Sequence, residues 1–138
     1  MITAVDTSIL PALWSSEPAA SQMVKLLAQA RSSGSVVICG AVYAELRAHP
    51  EVVGNFVDSF LQQTSIRVDF DSGEVIWREA ARCFASYAQR RRDSGGQEPK
   101  RLLMDFLVGA HAIVNADQML SLDKNRYVTA FPELLILP

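Results

Sequence analysis

The sequence predicts an α/β fold: a three-layer α/β/α sandwich around a parallel sheet of about five strands. Short apolar runs alternate along the chain with longer segments of helical periodicity. Strands of this kind pair in parallel and are covered by helices on both faces. The chain has 138 residues, which is enough for one domain with its own core, residues 1–138, and short for two.

Five runs have the composition of strands. The third run alternates Ile66 and Val68 with polar residues, as a partly exposed strand does. The other four contain no charged residue, as expected where both faces of a sheet are buried. In chain order the predicted strands are residues 2–5, 36–39, 65–70, 119–122 and 134–137.

The segments between these runs predict helices. Pro11 suits the first turn of a helix capped by Thr7 or Ser8. Gly34 ends a second helix, and Pro50 ends a short helix that follows the second strand. The remaining predicted helices cover residues 51–63, 75–92 and 100–116. The inward face of the helix over 75–92 is predicted to contain Trp77, Ala80, Ala81, Phe84, Tyr87 and Ala88.

Three acidic residues stand in apolar surroundings. Asp6 and Asp123 each follow a predicted strand, and Asp105 is the only charged residue in the stretch 102–115. An ionised carboxylate in such a setting is costly unless it is paired or binds a metal. Ligands of parallel α/β sheets bind at the carboxyl ends of the strands, where Asp6 and Asp123 are expected. Asp105, near the start of its helix, and Glu45 are expected at the same edge, which predicts a divalent-cation site.

Each acid also has a plainer interpretation. Asp6 could cap a helix, Asp105 could complement a helix dipole, and Asp123 could be a turn residue. Glu45 could be an exposed partner of Arg47. The apolar flanks of Asp105 in particular favour the metal site.

Four short motifs carry these acids, and their order and spacing are informative together. They are Val5-Asp6-Thr7-Ser8, Ala44-Glu45-Leu46, the segment 104–112, and Leu120-Ser121-Leu122-Asp123. With Tyr127 and the segment 131–134, they resemble PIN-domain ribonucleases, specifically a VapC-type toxin of a bacterial toxin–antitoxin pair. The resemblance runs the whole length of the chain.

The resemblance implies a metal-dependent endoribonuclease, the toxin component of a type II toxin–antitoxin system, that cleaves RNA by metal-activated water. It also implies a cognate antitoxin protein that blocks the site, and a homodimer. The implied cofactor is Mg²⁺ or Mn²⁺, which prefers oxygen ligands. The implied catalytic and metal-binding residues are Asp6, Glu45, Asp105 and Asp123.

Three further residues are expected to support the acids. Ser8 and Ser121 carry hydroxyl groups that can hydrogen-bond the carboxylates. The family usually has Thr where Ser121 stands, and the hydroxyl is kept. It often has a further acid where Asn125 stands. Asn125 keeps an oxygen but loses a charge, which leaves occupancy of a second metal undecided.

The distribution of basic residues is more informative than the net charge of −2. Lys100, Arg101, Lys124 and Arg126 lie close in sequence to Asp105 and Asp123, and we expect them to bind RNA phosphates. The alternative is that they form a solvated surface. The three arginines at 90–92 are explained by a helix C-terminus alone.

Several other residues have structural interpretations. Cys39 and Cys83 lie in apolar contexts, typical of buried thiols in a reducing cytoplasm. His111 lies six residues after Asp105, off that acid's face, which favours packing over general-base catalysis. Trp14 and Trp77 are expected in the core or in a dimer contact. The chain has no apolar run long enough for a membrane span and no signal peptide, so a cytoplasmic location is expected.

Two rival functions remain open. The first is phosphoryl transfer through an aspartyl group. A phosphohydrolase with Asp6 as nucleophile would need a second Asp where Ser8 stands. A receiver domain would use Asp69 or Asp71 as phosphoacceptor together with a Lys after strand five, and no Lys follows that strand. A catalytically silent partner-binding module on the same fold would not need the four acids.

Overall fold

A computed structural model describes residues 1–96 and 101–138 of the chain. The strands in this part are β1 (Ile2–Val5), β2 (Ser35–Cys39), β3 (Ile66–Asp69), β4 (Gln118–Leu120) and β5 (Ile136–Leu137). They form one sheet in the order β3-β2-β1-β4-β5, and every pair of neighbours is parallel. The predicted parallel five-stranded sheet is therefore confirmed.

Helices cover both faces of this sheet, which gives the molecule three layers. They are α1 (Ile9–Trp14), α2 (Ala20–Ser33), α3 (Gly40–Arg47), α4 (Phe56–Thr64), α5 (Gly73–Asp93) and α6 (Leu103–Asn115). Helix α1 packs on α2, which contacts β1 and β2, whereas α5 packs on α6, which contacts β1 and β4. In the described part of the chain, no helix has both the length and the apolar character needed to cross a membrane.

The strand order reverses between β1 and β4. From the central β1, the chain adds β2 and β3 on one side and then β4 and β5 on the other. Ala4 of β1 pairs with Val37 of β2 and with Met119 of β4. The carboxyl ends of β1 and β4 therefore flank the crevice where ligands bind in sheets of this type.

The strand interiors are buried, as their composition predicts. Cys39 in β2 and Cys83 in α5 are both free and buried, which confirms the prediction of buried thiols.

Strand β4 begins one residue earlier than predicted because Gln118 can be buried there. The Gln118 side-chain amide donates to Thr3 Oγ1 over 2.9 Å, which satisfies both polar groups.

The inward face of α5 differs from the prediction. Trp77, predicted to face inward, is 49% exposed, and Ala81 is also exposed. Phe84 and Tyr87 do face the core, where their ring centroids lie 5.0 Å and 5.5 Å from that of Phe106. Apolar residues occur on both sides of α5, and contact with the aromatic ring of α6 decides which side is buried.

Helix α4 begins later than predicted. It starts at Phe56 instead of near residue 51, because Gly54 adopts a left-handed φ of 61° and interrupts the helical backbone. Trp14 is half-buried against this helix, with ring centroids 5.1 Å from Phe56 and 5.5 Å from Phe60.

Candidate active site

Asp6 is held at the end of β1 by hydrogen bonds to both of its carboxylate oxygens. Its side chain is 0% exposed. Oδ1 accepts from the backbone N–H of Ser8 at 2.9 Å and from the Ser8 hydroxyl. Oδ2 accepts from Ser121 Oγ at 2.6 Å and from the Tyr127 hydroxyl at 3.1 Å. These four donors fill the roughly four lone-pair positions of a carboxylate, so Asp6 anchors the surrounding loops.

The two serines tie the loop after β1 to the loop after β4. Ser8 Oγ donates to Asp6 and accepts from the backbone N–H of Leu122 at 3.0 Å. Ser121 Oγ donates to Asp6 and accepts from the backbone N–H of Asp123 at 3.0 Å. This network fixes where the backbone of Asp123 lies relative to Asp6.

Arg126 lies between two of the four acids. Its Nη1 is 3.5 Å from Asp105 Oδ1, and its Nε is 3.4 Å from Asp123 Oδ2. Partial burial works against the charged form, but the carboxylates, Asp105 foremost, raise the pKa of Arg126 above its ordinary value. Arg126 is therefore a permanent cation, and it connects the turn Lys124–Arg126, to which it belongs, with Asp105 on α6.

Arg101 holds that turn in place. Its Nη1 donates to the backbone carbonyl of Arg126 at 2.6 Å, and its Nη2 donates to that of Asn125 at 2.9 Å. The guanidinium thus fixes the backbone from which the Arg126 side chain projects toward the acids.

Glu45 on α3 completes the acidic edge. Burial, and then the charges of Asp105 and Asp6, raise the pKa of Glu45, against a hydrogen bond from Thr7 and the charge of Arg126, which lower it. Helix α3 follows β2 directly and packs on α6, which carries Asp105, so Glu45 lies at the same edge of the sheet as the other acids.

The acids share one edge without forming a preorganised metal cage. Among residues 1–96 and 101–138, no three His, Cys, Asp or Glu side chains are placed to hold a metal ion as a group. Carboxylate oxygens are nevertheless the donors that Mg²⁺ and Mn²⁺ prefer. The donor set fits a hard divalent cation, but Arg126 would have to leave Asp105 and Asp123 for the carboxylates to close on it.

Comparison with known proteins identifies the family. The sequence profile of the PIN domain matches residues 3–132, a span that includes all four acids. The chain belongs to the PIN domain family. No curated protein sequence matches it significantly.

Two solved structures are similar to this PIN domain along nearly their whole length. VapBC2 from Rickettsia felis, bound to a DNA fragment from the promoter of its genes, is 18% identical with a TM-score of 0.67, covering 99% of this chain and 98% of that one. VapBC-1 from nontypeable Haemophilus influenzae is 20% identical with a TM-score of 0.63, covering 99% and 97%. At these identities the likeness shows the fold alone.

Not every predicted site residue contacts the acids of the PIN domain. The Asn125 side chain is exposed and hydrogen-bonds no acid in the described part of the chain; its backbone carbonyl accepts from Arg101 instead. Lys124 is exposed near Asp123. Lys100 lies outside the described residues.

His111 is placed as a packing residue of the PIN domain. It is buried on α6, and its Nε2 lies 3.1 Å from Asp69 Oδ2, an oxygen that also accepts from the Asn115 amide at 3.1 Å. Its hydrogen-bond partner is therefore none of the four acids at the edge. Asp69 is engaged in the same contact, which weakens its case as the phosphoacceptor of a receiver domain.

Sequence reasoning missed two residues of the site. Tyr127 is buried and donates to Asp6, and burial followed by the Asp6 charge raises the pKa of its phenol well above its ordinary value. Thr7 is a polar neighbour of Glu45 and lowers the pKa of its carboxyl group. A buried Tyr hydroxyl usually needs a polar partner, but the partner of Tyr127 stands 121 positions away in the sequence, so no local signal identifies it.

Proposed function

We propose that this PIN domain is a metal-dependent endoribonuclease and the toxin of a type II toxin–antitoxin pair. The observation that carries the proposal is the meeting of carboxylates from four segments at the point where the strand order reverses. These carboxylates are Asp6, Glu45, Asp105 and Asp123.

The four acids would hold Mg²⁺ or Mn²⁺, and the bound ion would neutralise the substrate phosphate and activate a water molecule. Ser8, Ser121 and Tyr127 orient Asp6 through hydrogen bonds. Arg126, once released from Asp105, would donate to a phosphate oxygen, since guanidinium groups bind phosphate in a bidentate manner. Arg101 would position Arg126 for that contact.

The structure does not favour Asp6 as the nucleophile of a phosphohydrolase. A nucleophilic carboxylate needs an accessible oxygen, whereas both oxygens of Asp6 are buried and each accepts two hydrogen bonds. Metal-assisted attack by water needs no covalent bond to Asp6, and Asp6 would bind the metal ion by releasing one of these four donors.

The test compares two substrates. Purified protein is incubated with a mixed-sequence RNA and with p-nitrophenyl phosphate, each in Mg²⁺ and in EDTA. We expect internal RNA cleavage in Mg²⁺ alone and no hydrolysis of the monoester. Hydrolysis of the monoester alone would favour the phosphohydrolase, and no hydrolysis of either substrate would favour the binding module.

We also propose that a cognate antitoxin, encoded beside this chain, binds it. The two similar solved structures are of VapBC proteins. An apolar groove of about 340 Å³ between α1, α2 and α4 could receive an apolar segment of that partner. Leu13, Val24, Leu27 and Phe60 line it, and Val24 is 57% exposed. Exposed apolar grooves of this kind are typical of protein-binding surfaces.

Co-expression with the neighbouring gene tests this partner. Val24→Lys should weaken co-purification, while Val53→Lys should not, because Val53 is 81% exposed and does not line the groove. Equal recovery of the partner with both variants would remove the groove from the proposal. Recovery of an active chain without any partner would contradict the toxin–antitoxin role. The homodimer stays a prediction, for which light scattering after size exclusion gives the mass.

A further inference from the structure

A basic cavity of about 260 Å³ lies beside the acidic edge. Four of the residues that line it are arginines, and none of its described lining residues is acidic. The arginines are Arg90, Arg91, Arg101 and Arg126. This concentration of positive charge stands out in a chain whose net charge is −2.

Two of these arginines pair with no carboxylate among residues 1–96 and 101–138. Arg101 donates to the backbone carbonyls of Asn125 and Arg126, which are uncharged acceptors. Arg90 is exposed, and no ion pair engages it among residues 1–96 and 101–138. The charges of both groups are therefore available to an anion.

Arginines elsewhere on the surface show the contrast. Arg78 pairs with Glu74 at 2.8 Å and Arg82 with Glu79 at 2.7 Å. Arg90 and Arg101 of the cavity differ from these two arginines because no carboxylate pairs with either of them in the described part of the chain.

The walls of the cavity are partly aromatic. Phe106 is buried against Tyr87, with ring centroids 5.5 Å apart, and the Tyr87 hydroxyl accepts from the backbone N–H of Arg101 at 3.2 Å. Apolar walls exclude water and strengthen the attraction between an anion and the guanidinium groups. The volume is slightly below the roughly 300 Å³ at which ligand pockets begin, so it suits a group of nucleotide size or smaller.

We propose that this cavity binds a phosphate group of the RNA chain on one side of the cleaved bond. The proposal rests on the proposed nuclease function. Arg126 connects the two sites, because it lines the cavity and also touches Asp105 and Asp123. An RNA strand that places one phosphate in the cavity would pass Arg126 and deliver a neighbouring phosphate to the acids.

The competing explanation is the helix dipole. Arg90, Arg91 and Arg92 occupy the last turn of α5, where cations are favourable without any ligand. The two explanations separate at Arg92, which shares that turn but does not line the cavity and donates to Gln89 Oε1 at 2.8 Å. Arg92→Gln is therefore a matched control for Arg90→Gln.

The experiment measures binding of a fluorescent single-stranded RNA dodecamer to the full chain in EDTA, where metal-dependent cleavage does not proceed. Each phosphate contact contributes a slope of about −0.7 to log K against log salt for single strands. Arg90→Gln should weaken binding roughly threefold to fivefold at low salt and reduce the slope by about 0.7. Arg92→Gln should leave the slope of the wild-type protein unchanged.

Several results would contradict the proposal that the cavity binds an RNA phosphate. Equal changes in Arg90→Gln and Arg92→Gln would indicate general electrostatics of the helix end, and no change in Arg90→Gln would show that Arg90 contacts no phosphate. Competition with inorganic phosphate and adenosine monophosphate forms a second arm. If Arg90→Gln weakens binding of these small anions but leaves RNA binding intact, the cavity is a site for free anions.

Failure of the nuclease function would look different. Wild-type protein would then leave RNA intact in Mg²⁺ and yet could still bind it with a dependence on Arg90. Loss of cleavage and loss of the Arg90 effect are thus separate observations, and each identifies the proposal that has failed.

Discussion

At Asp6 the stability of the fold and the proposed chemistry depend on the same carboxylate. An Asn at this position could accept hydrogen bonds at only one of its two side-chain atoms, so two of the four donors would lose their acceptor. Loss of activity in Asp6→Asn would therefore have a structural explanation. Asp105, whose ion-pair partner is Arg126 at 3.5 Å, is the better position at which to test the chemistry.

Ser121→Ala should destabilise the protein by about 1–3 kcal/mol, because it leaves the buried Asp6 with one donor fewer and the Asp123 N–H without its acceptor. Urea unfolding of the variant measures this change. Ser21→Ala, at an exposed position of α2, is the control and should be close to neutral. Equal stability of the two variants would mean that the Asp6 network contributes nothing to folding.

Glu45→Gln should stabilise the metal-free protein at neutral pH. Burial and the neighbouring acids raise the pKa of Glu45 in the folded state, so the folded state binds this proton more tightly than the unfolded chain does. The wild-type protein therefore loses stability as pH rises from the ordinary Glu pKa through the raised folded-state value. The advantage of the variant should be full above that value and vanish below the ordinary one.

Unfolding in EDTA across pH 4–8 measures this pH dependence, with Glu17→Gln at an exposed position as the control. A Glu45→Gln variant that is less stable than wild type at neutral pH would contradict the crowding of acids at this edge.

Arg126→Gln should tighten Mn²⁺ binding, because the guanidinium and the metal compete for Asp105 and Asp123. A partly exposed ion pair is worth up to about 1 kcal/mol, which corresponds to a gain in affinity of roughly fivefold. Calorimetric titration of Mn²⁺ gives the constant. Lys124→Gln removes the same charge at an exposed neighbouring position and should have a smaller effect. Weaker Mn²⁺ binding in Arg126→Gln would show that Arg126 supports the site instead of competing for it.

At the scale of elements, the sequence predicts which segments are strands better than it predicts which helix face is buried. The β2 run of apolar residues has one interpretation, because both faces of a central strand are covered. On α5, Trp77 and Phe84 are both apolar, and only contact with Phe106 of another helix decides between them. That contact is tertiary and has no local signal.

Gly109 shows a second contact of this kind. The close neighbour of Gly109 in the structure is the ring of Phe131. A Cβ at Gly109 would lie 2.2 Å from Phe131 Cε2. We expect Gly109→Ala to destabilise the protein by about 1–3 kcal/mol, more than the helix propensity of Ala returns.

Thermal unfolding measures the effect of Gly109→Ala. Gly40→Ala is the matched control, because its Cβ would lie at an ordinary 3.6 Å from Phe70 and should be tolerated. A stable Gly109→Ala would mean that the Phe131 ring moves aside at little cost.

At the scale of the whole molecule, the topology brings together residues that are far apart in the sequence. Asp6 and Asp123 follow strands that are adjacent only in the fold, and this meeting could be predicted because parallel sheets place strand ends at one edge. The position of Arg126 between the acids could not be predicted in the same way. The position of Arg126 depends on the two hydrogen bonds by which Arg101 holds the turn. These bonds join Arg101 to the carbonyls of Asn125 and Arg126, which stand 24 and 25 positions further along the chain.

Two of the four acids, Asp105 and Asp123, are consequently paired with an internal cation in the metal-free protein. We expect the chain to fold without metal, with Arg126 between Asp105 and Asp123, and to become active when a divalent ion replaces that contact. This exchange connects the stability of the apo protein to its proposed RNA cleavage.

The most direct measurement is the initial rate of cleavage of a defined RNA across a Mg²⁺ titration, for wild type, Asp105→Asn and Asp58→Asn. Asp58 is an exposed acid that accepts from Tyr43 at 2.7 Å, and it serves as the charge-matched control. We expect the wild-type rate to saturate with Mg²⁺ and vanish in EDTA, Asp58→Asn to match it, and Asp105→Asn to be slower by on the order of a hundredfold or more. Full cleavage in EDTA, or an Asp105→Asn rate equal to that of wild type, would contradict a metal-dependent nuclease at this edge.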